Sequence, residues 1–139
     1  MDYEGRATTT APPSDLWRVV IDVERWPEWT PSMRSVTRTD RGPLTVGSEA
    51  RVRQPGLPAA TWRVSELDAG RAFTWQTSSP GVTTVAEHVV DPSATGSELT
   101  LRLRQSGPLA GVLGALYRRR IRKFLALEAA GLARAAGGA

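Results

Sequence analysis

Apolar residues recur with two different periods along this chain, and the switch between them marks out its elements. Residues 3–10 read as a strand of mixed polarity that ends at "APPSDLW". There Ser14 stands where a helix N-cap belongs, and Leu16, Trp17, Val19, Val20 and Val23 follow as the apolar face of a helix. Pro27 and Pro31 in "ERWPEWTPSM" then stop regular helix, because proline lacks an amide donor and restricts the residue before it. One helix, a break and a short second helical piece are expected.

From Met33 onward the period is two. "RSVTRTD", "SEARVRQ", "TWRVSEL", "RAFTWQT", "TTVAEHVV" and "SELTLRLRQ" are each of strand length, separated by short stretches rich in Gly, Pro, Asp and Ser. Six such strands in succession predict an antiparallel meander, and the first strand makes seven. In "EARVR" Ala50 and Val52 oppose Glu49, Arg51 and Arg53; in "LTLRLR" Leu99, Leu101 and Leu103 oppose Thr100, Arg102 and Arg104. One face of the sheet is therefore apolar and the other wet, as in an antiparallel sheet covered on one side.

The cover follows Gly107 and Pro108, where Leu109, Leu113, Leu116, Tyr117, Ile121, Phe124 and Leu132 recur at helical spacing. Pro108 suits a first helical turn, and a helix of roughly 25 residues at about 1.5 Å each would run nearly 40 Å, enough to cross the sheet. No internal repeat occurs. The Ala/Gly-rich residues 134–139 are expected to fray. With 139 residues, the chain fits a single α+β domain over 1–139.

Composition removes several function classes. There are no cysteines and one histidine, His88, which excludes a disulfide framework and a Cys/His zinc cage. No acidic calcium-loop spacing and no Gly-rich phosphate loop occur, and neither a metal nor a cofactor is expected. The start "MDYEGRATTT" lacks the basic and apolar segments of a secretory signal, and no apolar run approaches a membrane span, so a cytoplasmic location is expected. Net charge is +4, with arginine supplying almost all the basic residues. Many of these alternate with apolar strand residues, as on a solvated outer face. Nucleic acid is not an expected partner, since the strand aromatics would face away from the arginines rather than form a stacking platform.

The element order resembles the helix-grip fold. At residue level, "APPSDLWRVVIDVERWPEWTPSMRSV" is similar to the start of the polyketide cyclase/dehydrase and lipid-transport superfamily, whose members show Ala-Pro, Val-Trp and then Asp-x-x-x-Trp-Pro-x-Trp. "VGSEARVRQPGLPAATWRVSELDAGRAFTW" and "HVVDPSATGSELTLRLRQSGPLAGVLG" extend the resemblance over nearly the whole chain. It implies a seven-stranded curved sheet wrapped around the long C-terminal helix, two short helices after the first strand, and an internal cavity for a hydrophobic or aromatic small molecule such as a polyketide, lipid or quinone.

Facing direction then nominates a lining. Trp26 and Trp29 would close one mouth beside Met33; Trp62 with Val64, and Phe73 with Trp75, would share the concave face with Val52, either packing against the helix or walling the cavity; Leu113 and Tyr117 would face them from the helix. His88, grouped by alternation with Thr84, Ala86 and Val90, would meet the ligand. Its ordinary pKa of about 6.5 suits general acid/base work near neutrality. For a cyclase-like aldol or dehydration step His88 would be the base, Gln54 or Tyr117 the hydrogen-bond donor to an enolate oxygen, and Arg120 an anchor. Three readings stay open: a binding protein, a polyketide cyclase or dehydratase using His88, and a ligand-free structural or stress-associated domain. The run "YRRRIRKF" offers Arg118, Arg119 and Arg122 either as a solvated face or as contacts for an acyl carrier protein or an anionic membrane surface.

Overall fold

The computed structural model describes residues 2–137. β1 (Asp2–Thr9) leads into α1 (Pro13–Ile21), a 3₁₀ turn over Val23–Arg25 and the single-turn α2 (Trp26–Trp29). Six strands follow in succession, β2 (Ser35–Arg38), β3 (Glu49–Arg53), β4 (Ala60–Asp68), β5 (Ala72–Ser79), β6 (Val82–Ser93) and β7 (Gly96–Ser106), and α3 (Ala110–Ala136) ends the chain. All seven strands form one antiparallel sheet in the order β1-β7-β6-β5-β4-β3-β2. The expected helix-grip architecture is the one observed, with the sheet curved around α3.

Local chemistry moves three boundaries. α1 starts at Pro13 with Pro12, not Ser14, as its N-cap; Pro12 is extended (φ −67°, ψ 159°), and its carbonyl accepts from the amides of Asp15 and Leu16. Two consecutive prolines fix the entry backbone, and a proline at the first helical position sacrifices no hydrogen bond, so no side-chain cap is used. Pro108 likewise lies before α3 rather than in it. The Leu109 amide donates to Gly81 O (2.9 Å), which ties the entry of α3 to the β5–β6 turn. At the other end α3 continues through Ala136, so residues 134–136 of the expected frayed tail are helical; positions 138 and 139 lie outside the described residues.

Alternation sorts the two faces as the pattern requires. Ala50, Val52, Leu99 and Leu101 are buried on the concave face, while Arg102 and Arg104 stand on the convex face and pair with Glu4, Glu87 and Asp2 of the neighbouring strands. β4 breaks its alternation once. The β4–β5 register shifts between Val64 and Glu66, so Trp62, Val64 and Leu67 all join the core cluster although their parities differ. That bulge lies in the middle of the sheet, between the strands that carry the aromatics.

α3 crosses the concave face unevenly. Its C-terminal half packs tightly on β1 and the short helices: a Cβ on Gly5 would lie 3.0 Å from the Leu125 carbonyl oxygen, and one on Gly131 would clash with the Trp29 carbonyl. Leu125, Ala129, Leu132 and Ala133 are buried there. The N-terminal half stands off. Leu109 and Leu116, expected on the buried stripe, are exposed, Leu116 to 69%. The space between that half and the sheet is the cavity.

Candidate functional site

The cavity has a volume of about 570 Å³ and opens beside the β3–β4 connection. This lies within the range of about 300–1,000 Å³ typical of small-molecule sites. Trp62 and Trp75 form its aromatic wall, with ring centroids 5.7 Å apart, and Met33, Val52, Leu101 and Leu103 extend the apolar lining. Ile121 and Phe124 close it from α3. The structure thus brings Trp26, Met33, Val52, Gln54, Trp62, Trp75, His88, Leu113 and Tyr117 to one lining.

Three of the expected lining residues are elsewhere. Val64 and Phe73 are buried in the core behind the wall. Trp29 does not reach the cavity: it is half-buried, packed against the edge of the core, with the Arg25 guanidinium 5.0 Å from its ring centroid. Trp26 and Trp29 bracket a single helical turn whose last carbonyl is pressed against Gly131, and of the two only Trp26 reaches the lining. Trp26 is fully buried, donates its indole N–H to Val20 O (3.2 Å) and meets Trp75 edge-on at 5.3 Å. The proline-broken corner therefore places one tryptophan under the cavity and leaves the other outside.

His88 occupies the middle of the sheet, paired across the strands with Phe73 and Leu101. Its ring stacks on Phe73 at 4.2 Å between centroids with 8° between the planes. Its Nδ1 lies 3.2 Å from Phe73 O. A carbonyl can only accept, so Nδ1 carries the proton and Nε2 the lone pair. Burial lowers the pKa from its ordinary 6.5 to about 4, partly offset by that backbone contact. His88 is therefore a neutral imidazole at pH 7 and a much weaker base than its unperturbed value implies. Glu87 is no partner for it, since it points to the convex face beside Arg102.

The remaining polar candidates have separate tasks. Gln54 donates from Nε2 to Ser32 O (3.3 Å), tying the end of β3 to the corner after α2. Tyr117 is half-buried on the lining, and its hydroxyl has no hydrogen bond among the described residues. Arg120 is no ligand anchor here; its guanidinium donates to Gly56 O (2.9 Å) and holds the β3–β4 connection to α3 at the mouth.

One lining residue escapes the expectation drawn from the sequence. Glu128 of α3 is buried, 6% exposed, among apolar neighbours. It has no hydrogen bond or ion pair among the described residues. Burial alone raises its pKa from 4.5 to about 8. A signal for it does exist, because positions 121, 125, 128 and 132 continue one helical stripe. The stripe drawn through Phe124 and Leu132 passes over the acid.

Residues 2–137 match the family model described as polyketide cyclase / dehydrase and lipid transport. No curated protein sequence matches the chain. Among solved structures, protein CV1439 from Chromobacterium violaceum is 15% identical, with 99% of this chain and 98% of that one covered and a TM-score of 0.71. Ara h 8.0201 is 12% identical over 99% and 95%, with a TM-score of 0.65. The di-domain ARO/CYC StfQ from the steffimycin biosynthetic pathway is 18% identical over 99% of this chain but 49% of its own, with a TM-score of 0.65. At these identities the likeness is one of fold.

Proposed function

This chain belongs to the polyketide cyclase/dehydrase and lipid transport family, and on that premise we propose that it binds a hydrophobic or aromatic small molecule between the sheet and α3. The observation that carries this reading is the cavity, whose indole-rich wall suits a flat, conjugated molecule. A ligand-free structural role would call for a filled interior. Catalysis is the second reading, and the observation that favours it is His88 at the lining with Nδ1 engaged and Nε2 bare. The lowered pKa of His88 puts binding first, because a base near 4 removes a proton alpha to a carbonyl far less readily than one matched to neutral pH.

The test is native mass spectrometry of the protein from its own host, followed by tryptophan fluorescence titration with polyketide-like, quinone and fatty-acid ligands. Binding predicts a retained small molecule, indole quenching, and loss of affinity by roughly tenfold or more on Trp62→Ala, since truncating a buried aromatic contact removes about 1–3 kcal/mol. A set of ligands that neither adhere nor quench would overturn it. Turnover lost in His88→Ala with affinity kept would promote the catalytic reading.

For the delivery partner we read an anionic membrane surface rather than an acyl carrier protein. Helical spacing lines up the exposed Leu109, Val112 and Leu116 with Arg119 and Lys123, an apolar and basic stripe on the outside of α3. Arg118 and Arg122 point to a different side of the helix and add only charge. Co-sedimentation with phosphatidylglycerol vesicles that drops with Leu116→Glu and is absent with phosphatidylcholine supports this; equal recovery on both would sink it.

A further inference from the structure

Glu128 is an unusual residue to find on a cavity wall. Its neighbours along the stripe are Leu125 and Leu132, and no described residue hydrogen-bonds or pairs with its carboxyl. A buried polar group without a partner is strongly unfavourable, so native proteins satisfy nearly all of them. Here the side chain faces the cavity, where a bound molecule can reach it.

The groups around it favour a hydrogen-bonding role over an ionic one. From β6 the facing titratable group is His88, neutral and already bonded through Nδ1. From β1 it is Tyr3, buried on the concave side and engaged in an interaction of its own. β7 presents Leu101, Leu103 and Gln105, and its Arg102, also counted on the lining, spends its guanidinium on Glu4 and Glu87 at the convex face. α1 keeps Asp15 and Arg18 at the surface, 4.0 Å from each other, and Arg25 beside α2 is paired with Glu28. α3 itself adds Tyr117, while Arg120 is held at Gly56 O. Among the described residues none forms an ion pair with Glu128, and burial is what raises its pKa.

We infer that Glu128 is the polar anchor of the bound molecule, its carboxyl donating a hydrogen bond to a carbonyl oxygen on an otherwise apolar, flat ligand. The inference rests on the binding function proposed above and adds a substrate class: uncharged ketones and quinones are taken and free carboxylic acids refused. An ionised ligand acid would face a carboxyl in an apolar setting and lose its own hydration without a cation in return. His88 Nε2 offers a neutral acceptor on the same lining, which suits a ligand that also carries a hydroxyl.

Four probes separate the outcomes: anthraquinone, anthracene, anthracene-9-carboxylate and 9-aminomethylanthracene, titrated by indole quenching at pH 6.5. Wild type should bind the quinone roughly tenfold more tightly than the hydrocarbon, the effect of one well-placed hydrogen bond, and the carboxylate least. Glu128→Leu should bind anthracene as well as wild type and lose the preference; Glu128→Gln, which keeps a donor, should retain it. Raising the pH to 9 should erode quinone binding in wild type and leave it unchanged in Glu128→Gln. A preference that survives in Glu128→Leu would overturn the anchor while leaving the cavity intact. Tighter binding of 9-aminomethylanthracene than of the quinone would overturn it too, by making Glu128 a counter-ion. If none of the aromatics binds wild type, the binding function itself fails and the anchor with it.

Discussion

Two buried groups must be neutral in this fold, and they set opposite pH limits. His88 has its folded pKa lowered to about 4, so its contribution is whole above the ordinary 6.5 and is lost as pH falls from there toward 4. Glu128 has its folded pKa raised to about 8, so its contribution is whole below 4.5 and is lost as pH rises through 8. Each is on the order of 3–5 kcal/mol over its full window. Glu128→Gln should therefore raise stability to urea, with a larger gain at pH 9 than at pH 5. An equal gain at both would show that the carboxyl is solvated. His88 was legible as a cavity residue from strand alternation, but its weakened basicity was not, because that depends on Phe73 and Trp26 closing over the ring. Glu128 was legible only in its helical position, since a carboxylate on an apolar stripe more often turns out at its edge.

At the scale of elements, two glycines decide where α3 lies. Gly131 meets the Trp29 carbonyl and Gly5 the backbone at Leu125, so helix and strand approach at distances a side chain would forbid. Gly131→Ala should destabilise by about 1–3 kcal/mol through overpacking, although alanine is the better helix former by up to about 1 kcal/mol. Gly111, on the standing-off half with open space around its α-carbon, is the control: Gly111→Ala should be neutral or stabilising by thermal melting. Strand and helix identities could be read directly from the two periods. The bulge in β4 left a trace that alternation alone does not decode: in "TWRVSEL" two polar residues, Ser65 and Glu66, separate Val64 from Leu67 and put Leu67 on the other parity, which a strand end would explain as well as an extra residue. The exposure of Leu116 was hidden for a related reason: helical spacing assigns a face, but whether a sheet reaches that face is settled by close contacts more than ten residues away.

At the scale of the molecule, a hydrogen bond from Arg120 to Gly56 O joins α3 to the β3–β4 connection at the cavity mouth. The connection it holds, through Leu57, Pro58 and Ala59, forms one lip of the opening. Arg120→Ala should speed ligand release by roughly fivefold in stopped-flow fluorescence, the equivalent of about 1 kcal/mol, while entry quickens to match and affinity changes little. Unchanged rates in both directions would mean that ligand passes elsewhere.

The pairing of β1 with β7 carries a consequence for how this protein is made. Asp2 lies across from Arg104, and Thr9 across from Ser97, so β1, made before the other six strands of the sheet, has no neighbour until β7 has been synthesised. Until then β2 to β6 can join hairpin by hairpin, but their concave face has no helix over it and β6 offers an open edge. Such non-local closure is slow, and nascent chains caught before it expose the surfaces that aggregate. A ribosome stalled before residue 106 would thus hold a half-built sheet that needs a chaperone, whereas release of α3 lets β1, β7 and the helix lock together in one step.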